Sequence, residues 1–257
     1  MKMMLFDLDG TLLRTDKTIS ERSVRALARA HEAGYMIGLS TSRGHNNCMK
    51  FIDRVCPDVV ISSGGAQVSL DGEIIIMQGF DGDEAAAVIS TAREICGDVW
   101  ITADAADSDA AFFRNHIPPQ DELEQSWGRS EYTDFSDYRR PTLKLCFEIH
   151  DEERAQSLAA ALPGCDCIRF TDGEWYKFTK AGVTKESAIG KLCGYTGMDI
   201  SDITAFGDDL ADIGMLRMCG IGVAMGNAQP EVKAAADIVI GTNDGDGIAG
   251  YIEDLLG

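Results

Sequence analysis

Residues 3–12 read Met3-Met4-Leu5-Phe6-Asp7-Leu8-Asp9-Gly10-Thr11-Leu12. Four apolar residues break off abruptly into two carboxylates and a glycine, the pattern of a buried parallel strand running into a loop. Asp7 and Asp9 stand two residues apart, and period-two geometry sets both carboxylates on one side. In a parallel α/β sheet, ligands sit at the carboxyl ends of strands. An Asp-Gly pair also punctuates ordinary turns, and this stretch alone supports either reading.

Outward from that stretch, Thr18 or Ser20 offers a helix N-cap, and Val24, Leu27, Ala28 and His31 follow at helical spacing. Gly34 supplies a stop before the apolar run Met36 to Leu39, completing a strand, helix, strand unit. Val59 to Ile61 predicts a third strand, while Val68 to Leu70 and Ile74 to Ile76 flank an Asp71-Gly72 hairpin turn. From about Asp83 the pattern changes. It predicts a helix to Ile95, strands at Val99 to Thr102, Leu143 to Ile149 and Ile168 to Thr171, and a helix over Glu152 to Leu162. From about Gly182 the alternation resumes, with a helix over Lys185 to Cys193 and strands at Ile203 to Phe206, Ile221 to Ala224 and Ile238 to Ile240. The expected fold class is α/β, a parallel-sheet module over residues 1–81 and 180–257 split around an α+β insert over residues 82–179.

Composition narrows the function. The chain of 257 residues is 45% hydrophobic and 25% charged, with 27 Gly, 6 Pro and no biased tract. Twenty-three basic against 42 acidic residues leave a net charge of −19, which repels a polyphosphate backbone and argues against a nucleic-acid partner. No apolar run approaches the roughly 18 to 20 residues that span a bilayer, so no membrane partner is expected. Eight scattered cysteines fit reduced thiols and a cytoplasmic location; the closest pair, Cys165 and Cys167, lacks zinc spacing and reads as structural. Oligomeric state leaves no mark in the pattern.

Two further polar runs follow apolar strands. Ser40-Thr41-Ser42-Arg43-Gly44 offers hydroxyls, backbone N–H groups and a guanidinium suited to an anion, although taken by itself the run reads first as an N-cap for the next helix. Gly207-Asp208-Asp209-Leu210-Ala211-Asp212 brings more carboxylates to a third strand end. Clustered acidic groups repel unless they share a cation, and hard oxygen ligands in small number suit Mg²⁺. A solvated acidic turn is the plain alternative. Asp244, Asp246, Gly247 and Glu253 fall at calcium-loop spacing, but Thr242 occupies the first ligand place and the segment follows a strand.

Together these motifs carry a resemblance. Asp7-Leu8-Asp9-Gly10-Thr11, Thr41-Ser42-Arg43, Lys185 within Gly182-Val183-Thr184-Lys185, and the Gly207 to Asp212 run resemble, in order, the four motifs of the haloacid dehalogenase-like phosphatases. The similarity is closest to the Cof-like subfamily IIB and spans essentially the whole chain. Gly226-Asn227-Ala228 with Pro230-Glu231-Val232-Lys233 and Ala236-Asp237 is similar to the family's C-terminal stretch. The resemblance implies a Rossmann-like core with an inserted α+β cap. Two positions depart: the family usually has Asn where this chain has Ala211, and Asn-Gly-Ala where it reads Gly64-Gly65-Ala66.

What the resemblance implies is a Mg²⁺-dependent phosphatase acting on a small phosphorylated substrate such as a sugar phosphate. Asp7 would be the nucleophile, forming an aspartyl-phosphate, and Asp9 the acid and then the base. Mg²⁺ would be held by Asp7, the backbone carbonyl of Asp9, Asp208 and waters, with Asp212 in or near that shell. Thr41, Ser42 and Lys185 would bind the phosphoryl group. Arg43 and Arg114 are candidate substrate contacts, and Asn115, His116, Arg139 and Arg140 further polar candidates in the insert, which would act as a lid. Alternatives are a phosphohexomutase of the same subfamily and a catalytically weak phospho-ligand-binding module, the latter motivated by Ala211 and Gly64.

Overall fold

A strand that is apolar on both faces belongs in the interior of a sheet. β1 (Lys2–Phe6) occupies that place, with Met3, Met4, Leu5 and Phe6 fully buried. A computed structural model describes residues 2–110, 112–117, 129–170 and 173–257. After β1 come α1 (Glu21–Glu32), β2 (Tyr35–Ser40), α2 (His45–Val55) and β3 (Val59–Ser62). Ser20 is the N-cap of α1, its hydroxyl accepting from the Ser23 N–H. β4 (Gln67–Leu70) and β5 (Glu73–Met77) form the expected hairpin, with Asp71 and Gly72 both left-handed at φ +50° and +80° as a tight two-residue turn requires.

The middle of the chain runs through α3 (Gly82–Cys96), β6 (Trp100–Ala105), β7 (Phe112–Arg114), β8 (Ser130–Tyr132), β9 (Thr142–Glu148), α4 (Glu152–Ala161), β10 (Cys165–Arg169) and β11 (Trp175–Lys180). It returns through α5 (Lys185–Thr196), β12 (Ile203–Gly207), α6 (Ile213–Met218), β13 (Ile221–Ala224), α7 (Pro230–Ala235), β14 (Ile238–Val239) and α8 (Gly247–Leu256). The first and last groups of strands make one sheet in the order β14-β13-β12-β1-β2-β3-β4-β5. It is parallel from β14 to β3 and antiparallel at the β4–β5 edge. β1 lies between β2 and β12, which brings the chain's start and its last third side by side.

The middle strands make a second sheet, ordered β10-β11-β9-β6-β7-β8 and antiparallel except at β7–β8. One face is apolar: Ile101, Ala103, Leu145, Phe147, Tyr176 and Phe178 share a buried cluster with Val88, Ile89 and Ala92 of α3 and Leu158 of α4. A small third cluster of Ala66, Leu143 and Val183 packs where the two sheets approach. β10 starts at Cys165, earlier than the strand expected over Ile168 to Thr171, and Thr171 lies outside the described residues. β11 is absent from the expectations because Lys177 and Thr179 interrupt its apolar residues, yet it lies inside the sheet and both are buried.

Phe206 shows how the main core is held. It is fully buried, stacks on Phe6 across the β1–β12 pair at 4.5 Å and meets the Tyr251 ring edge-on at 5.3 Å. Phe206→Ala removes both contacts and leaves a cavity under the strand ends, with an expected loss of about 3–5 kcal/mol. Urea denaturation of the two proteins measures it as a lower midpoint at unchanged m-value.

Candidate active site

Because β1, β2 and β12 are adjacent and parallel, their carboxyl ends bring residues of three distant segments together. Asp7 continues the strand, its N–H donating to the Phe206 carbonyl at 3.0 Å, while the Thr41 N–H donates to the Ile61 carbonyl at 2.8 Å. Lys185 opens α5, capped by Thr184, whose hydroxyl accepts from the Ser187 N–H. Its Nζ donates to Asp7 Oδ1 at 2.7 Å and to Asp212 Oδ1 at 2.6 Å. Asp212 Oδ2 accepts from the backbone N–H groups of Asp208 and Asp209 at 3.0 and 3.1 Å. Asp208 Oδ1 accepts from the Thr11 hydroxyl at 2.6 Å. Gly10, at φ +79°, permits this approach, since a Cβ there would fall 2.2 Å from Asp208 Oδ2.

Asp7, Asp208 and Asp212 each place a carboxylate oxygen within 4.8 Å of the others. Three ionised carboxylates against one ammonium leave two negative charges in excess, in a site where Asp7, Lys185 and Asp212 are all buried. The protonation preferences record that strain. Burial pushes Asp7 well above the usual carboxylate range; Lys185 opposes this, and Asp212 and Asp208 add to it. Asp208 is pushed up to about 7 by burial, with Thr11 opposing and Asp212 and Asp209 repelling. Lys185 is held far above its ordinary value because Asp212 and Asp7 outweigh its burial. A hard divalent cation fits this donor set in both charge and chemistry.

Asp9 stands apart from that trio. Arg43 grips its carboxylate with Nε at 2.7 Å and Nη2 at 2.8 Å, and Lys17 Nζ lies at 3.0 Å. Burial alone would raise Asp9, but Arg43 and then Lys17 hold it below the usual range. Arg43, a candidate substrate contact from sequence, is 2% exposed; beyond Asp9 it donates to Asn47 Oδ1 at 3.2 Å and lies over the Phe51 ring. Thr41 is buried beside these groups, its hydroxyl accepting from the Arg43 N–H, and the Ser42 carbonyl accepts from Lys144 Nζ at 2.7 Å. Arg114 pairs in register with Thr102, which pairs with Cys146 and that in turn with Lys177, so all four lie in one row on one face of the second sheet.

The other polar candidates in this region are engaged within it. Asn115 bonds the backbone of Ile101 and Val99, and His116 stacks on Trp100. Arg139 pairs with Asp83, and Arg140 pairs with Asp107 and lies over Phe113. Asp246 and Asp244 of the calcium-like stretch hold Arg14 and Thr15.

The sequence profile of the haloacid dehalogenase-like hydrolases matches residues 4–252. The chain belongs to that family. Over 99% of its length it is 28% identical to the pyridoxal phosphate phosphatase of Escherichia coli (strain K12), 98% of which is covered. Among solved structures it aligns at TM-score 0.84 and 26% identity with a sugar phosphatase of subclass IIB, over 99% of each chain. It aligns at TM-score 0.83 and 29% identity with a phosphatase of the same superfamily from Bacteroides thetaiotaomicron, over 98% of this chain and 94% of that one.

This haloacid dehalogenase-like hydrolase also brings to its site residues that the motifs do not contain. Lys17 reaches Asp9, Asn227 Nδ2 braces the Gly10 carbonyl at 2.7 Å, and Lys144 and Lys177 approach from the second sheet. Period-two alternation over residues 175–180 is the one sequence signal that marks Lys177.

The raised proton affinity of Asp208 has a stability consequence in the metal-free protein. An unfolded aspartate titrates near 3.8 and the folded one near 7, so between these values the folded state holds a proton that the unfolded state lacks. Its contribution to stability therefore falls as pH rises across that window and stays low above it. A cation that binds the ionised trio reverses the trend. Millimolar Mg²⁺ is expected to raise Tm by several degrees more at pH 7.5 than at pH 5, read by differential scanning calorimetry with and without the ion.

Proposed function

We propose that this chain is a Mg²⁺-dependent phosphatase of small phosphorylated metabolites, sugar phosphates foremost, working through an aspartyl-phosphate. The supporting observation is Lys185 Nζ bridging Asp7 and Asp212 beside Asp208, a buried constellation with an excess of negative charge at the strand ends. The names of its relatives, a pyridoxal phosphate phosphatase and a sugar phosphatase, support the substrate class. Residues 82–179 would form a cap over a core built from 1–81 and 180–257.

Asp7, Asp208 and the Asp9 carbonyl would hold Mg²⁺, with Asp212 beside them. The ion, when bound, neutralises charge on the phosphoryl group and orients it. Lys185 occupies Asp7 Oδ1, which leaves Oδ2 for in-line attack on phosphorus. The Oδ2–P bond forms as the bond to the leaving oxygen breaks, and Asp9 delivers a proton to that oxygen. Water then attacks phosphorus, Asp9 takes its proton, and Asp7 is released as the carboxylate. Lys185 offsets charge on the nucleophile and the phosphoryl oxygens, and the Thr41 hydroxyl donates to one of them. The carboxylates that an amide at 211 would steady are held instead by Lys185, Thr11 and two backbone N–H groups.

A panel of phosphorylated metabolites with and without Mg²⁺ tests this reading. Phosphate release is expected only with the ion, Asp7→Asn is expected to reduce it to background, and Asp9→Asn to lower kcat by about 10²–10⁴. Full activity of Asp7→Asn refutes the mechanism. Isomerised sugar phosphate with a bisphosphate requirement and little free phosphate would reveal a mutase instead.

A further inference from the structure

The second sheet buries two faces of opposite character. Opposite its apolar side, Asp104, Lys144, Cys146, Lys177 and Thr179 are all nine-tenths buried or more. Register pairs Asp104 with Lys144, and Cys146 with Lys177, on that same face. It lies against the strand-end loops of the main sheet. Lys144 Nζ donates to the Ser42 carbonyl at 2.7 Å, the Ser63 hydroxyl donates to Asp104 Oδ2 at 3.0 Å, and Lys177 Nζ sits 2.7 Å from where a Cβ of Gly64 would be. The Gly64 N–H in turn donates to the Thr41 carbonyl, which places Lys177 above the proposed phosphate loop.

The cations around this face differ in whether they have a direct partner. Lys144 is balanced by Asp104 at 3.1 Å, Lys185 by Asp7 and Asp212, and Arg43 by Asp9. Lys177 is 3% exposed and makes no direct hydrogen bond or ion pair among the described residues; Glu186 attracts it only through space, more weakly than Lys185 and Lys144 repel it. Burial, then Lys185 and Lys144, press its ammonium down to about 8. A buried ammonium with no direct partner is costly, and an oxyanion on a ligand would supply one.

We propose that Lys177 is a specificity-determining residue that pairs with a second oxyanion, a carboxylate or phosphoryl group, carried by the leaving group of the substrate. The proposal rests on the phosphatase reading above. In-line attack by Asp7 would send the leaving group to the side of phosphorus remote from the nucleophile, and the second sheet, which lies against the loops of Ser42, Ser63 and Gly64, is the element placed to meet it. Gly64, where the family resemblance implies Asn, is the position that leaves room for the ammonium: a Cβ there would fall 2.7 Å from Nζ, so a side chain displaces it.

Two matched pairs of probes test it: sorbitol 6-phosphate against 6-phosphogluconate, and glucose 6-phosphate against glucose 1,6-bisphosphate. The wild-type enzyme is expected to favour the doubly anionic member of one pair by about tenfold or more in kcat/KM, and the responding pair identifies carboxylate or phosphoryl. Lys177→Met is expected to bring that ratio below about twofold through KM, and Gly64→Asn to lower it as well. Lys177→Met is also expected to match or exceed the wild-type Tm, since it removes a buried ammonium that has no direct partner. Absence of preference in both pairs, an equal loss on all four probes, or a lower Tm overturns the proposal. Calorimetric binding of the same probes to the Asp7→Asn protein reads the preference without turnover. Failure of hydrolysis alone, with the binding preference intact, counts against the phosphatase reading and leaves the role of Lys177 standing, whereas loss of the binding preference overturns it.

Discussion

Three carboxylates share one ammonium in the floor of this site, and much of the surrounding architecture can be read as the means of keeping them there. Asp7, Asp208 and Asp212 repel one another in a buried setting where Coulombic terms are strong. They stay together because each is fixed from a different direction: Asp7 and Asp212 by Lys185, Asp212 by two backbone N–H groups, Asp208 by Thr11. Those fixing groups sit at the ends of β1 and β12 and the start of α5, so the parallel sheet must be complete before the cluster can exist. Folding therefore stores an excess of negative charge that a divalent ion would relieve.

Asp9 follows a different electrostatic logic. Arg43 and Lys17 hold its carboxylate ionised, the form that accepts a proton from water, while delivery of a proton to a leaving oxygen needs the opposite form. The two cations differ in how firmly they are placed. The Arg43 side chain is 1% exposed and tied to Asn47, whereas the Lys17 side chain is 30% exposed. Withdrawal of Lys17 is thus the cheaper way to raise the proton affinity of Asp9, because it disturbs a partly exposed side chain and leaves the buried Arg43 packing intact.

The parts of this arrangement that were legible in sequence are those that local chemistry determines. Met3 to Phe6 reads as an interior strand because both of its faces are apolar, and the Asp71-Gly72 hairpin because its turn needs two left-handed residues. Asp7, Asp208 and Lys185 stand out by motif, since each follows a strand or opens a helix in a familiar context. What escaped notice depends on tertiary burial of polar groups. β11 carries Lys177 and Thr179 on a face that alternation marks as wet, yet that face packs against the loops of another sheet. Arg43 looked like a hand for substrate, and only the fold shows that its guanidinium is spent on Asp9 and Asn47.

The two departures from the family pattern have different physical weight. At Ala211 the missing amide has substitutes in place, because Asp212 already takes donors from Lys185 and from the N–H groups of 208 and 209, and Asp209 caps its own turn. At Gly64 no substitute is present, and the space left by the missing side chain holds the Lys177 ammonium. Gly64 lies in the turn between β3 and β4 and Lys177 in β11, 113 positions away, and they meet only in the folded protein. An Asn at 64 and a Lys at 177 would compete for one volume, so a change at either position alters what the other can hold. Ala211 therefore bears on how the clustered carboxylates are braced, whereas Gly64 bears on where the Lys177 ammonium can sit.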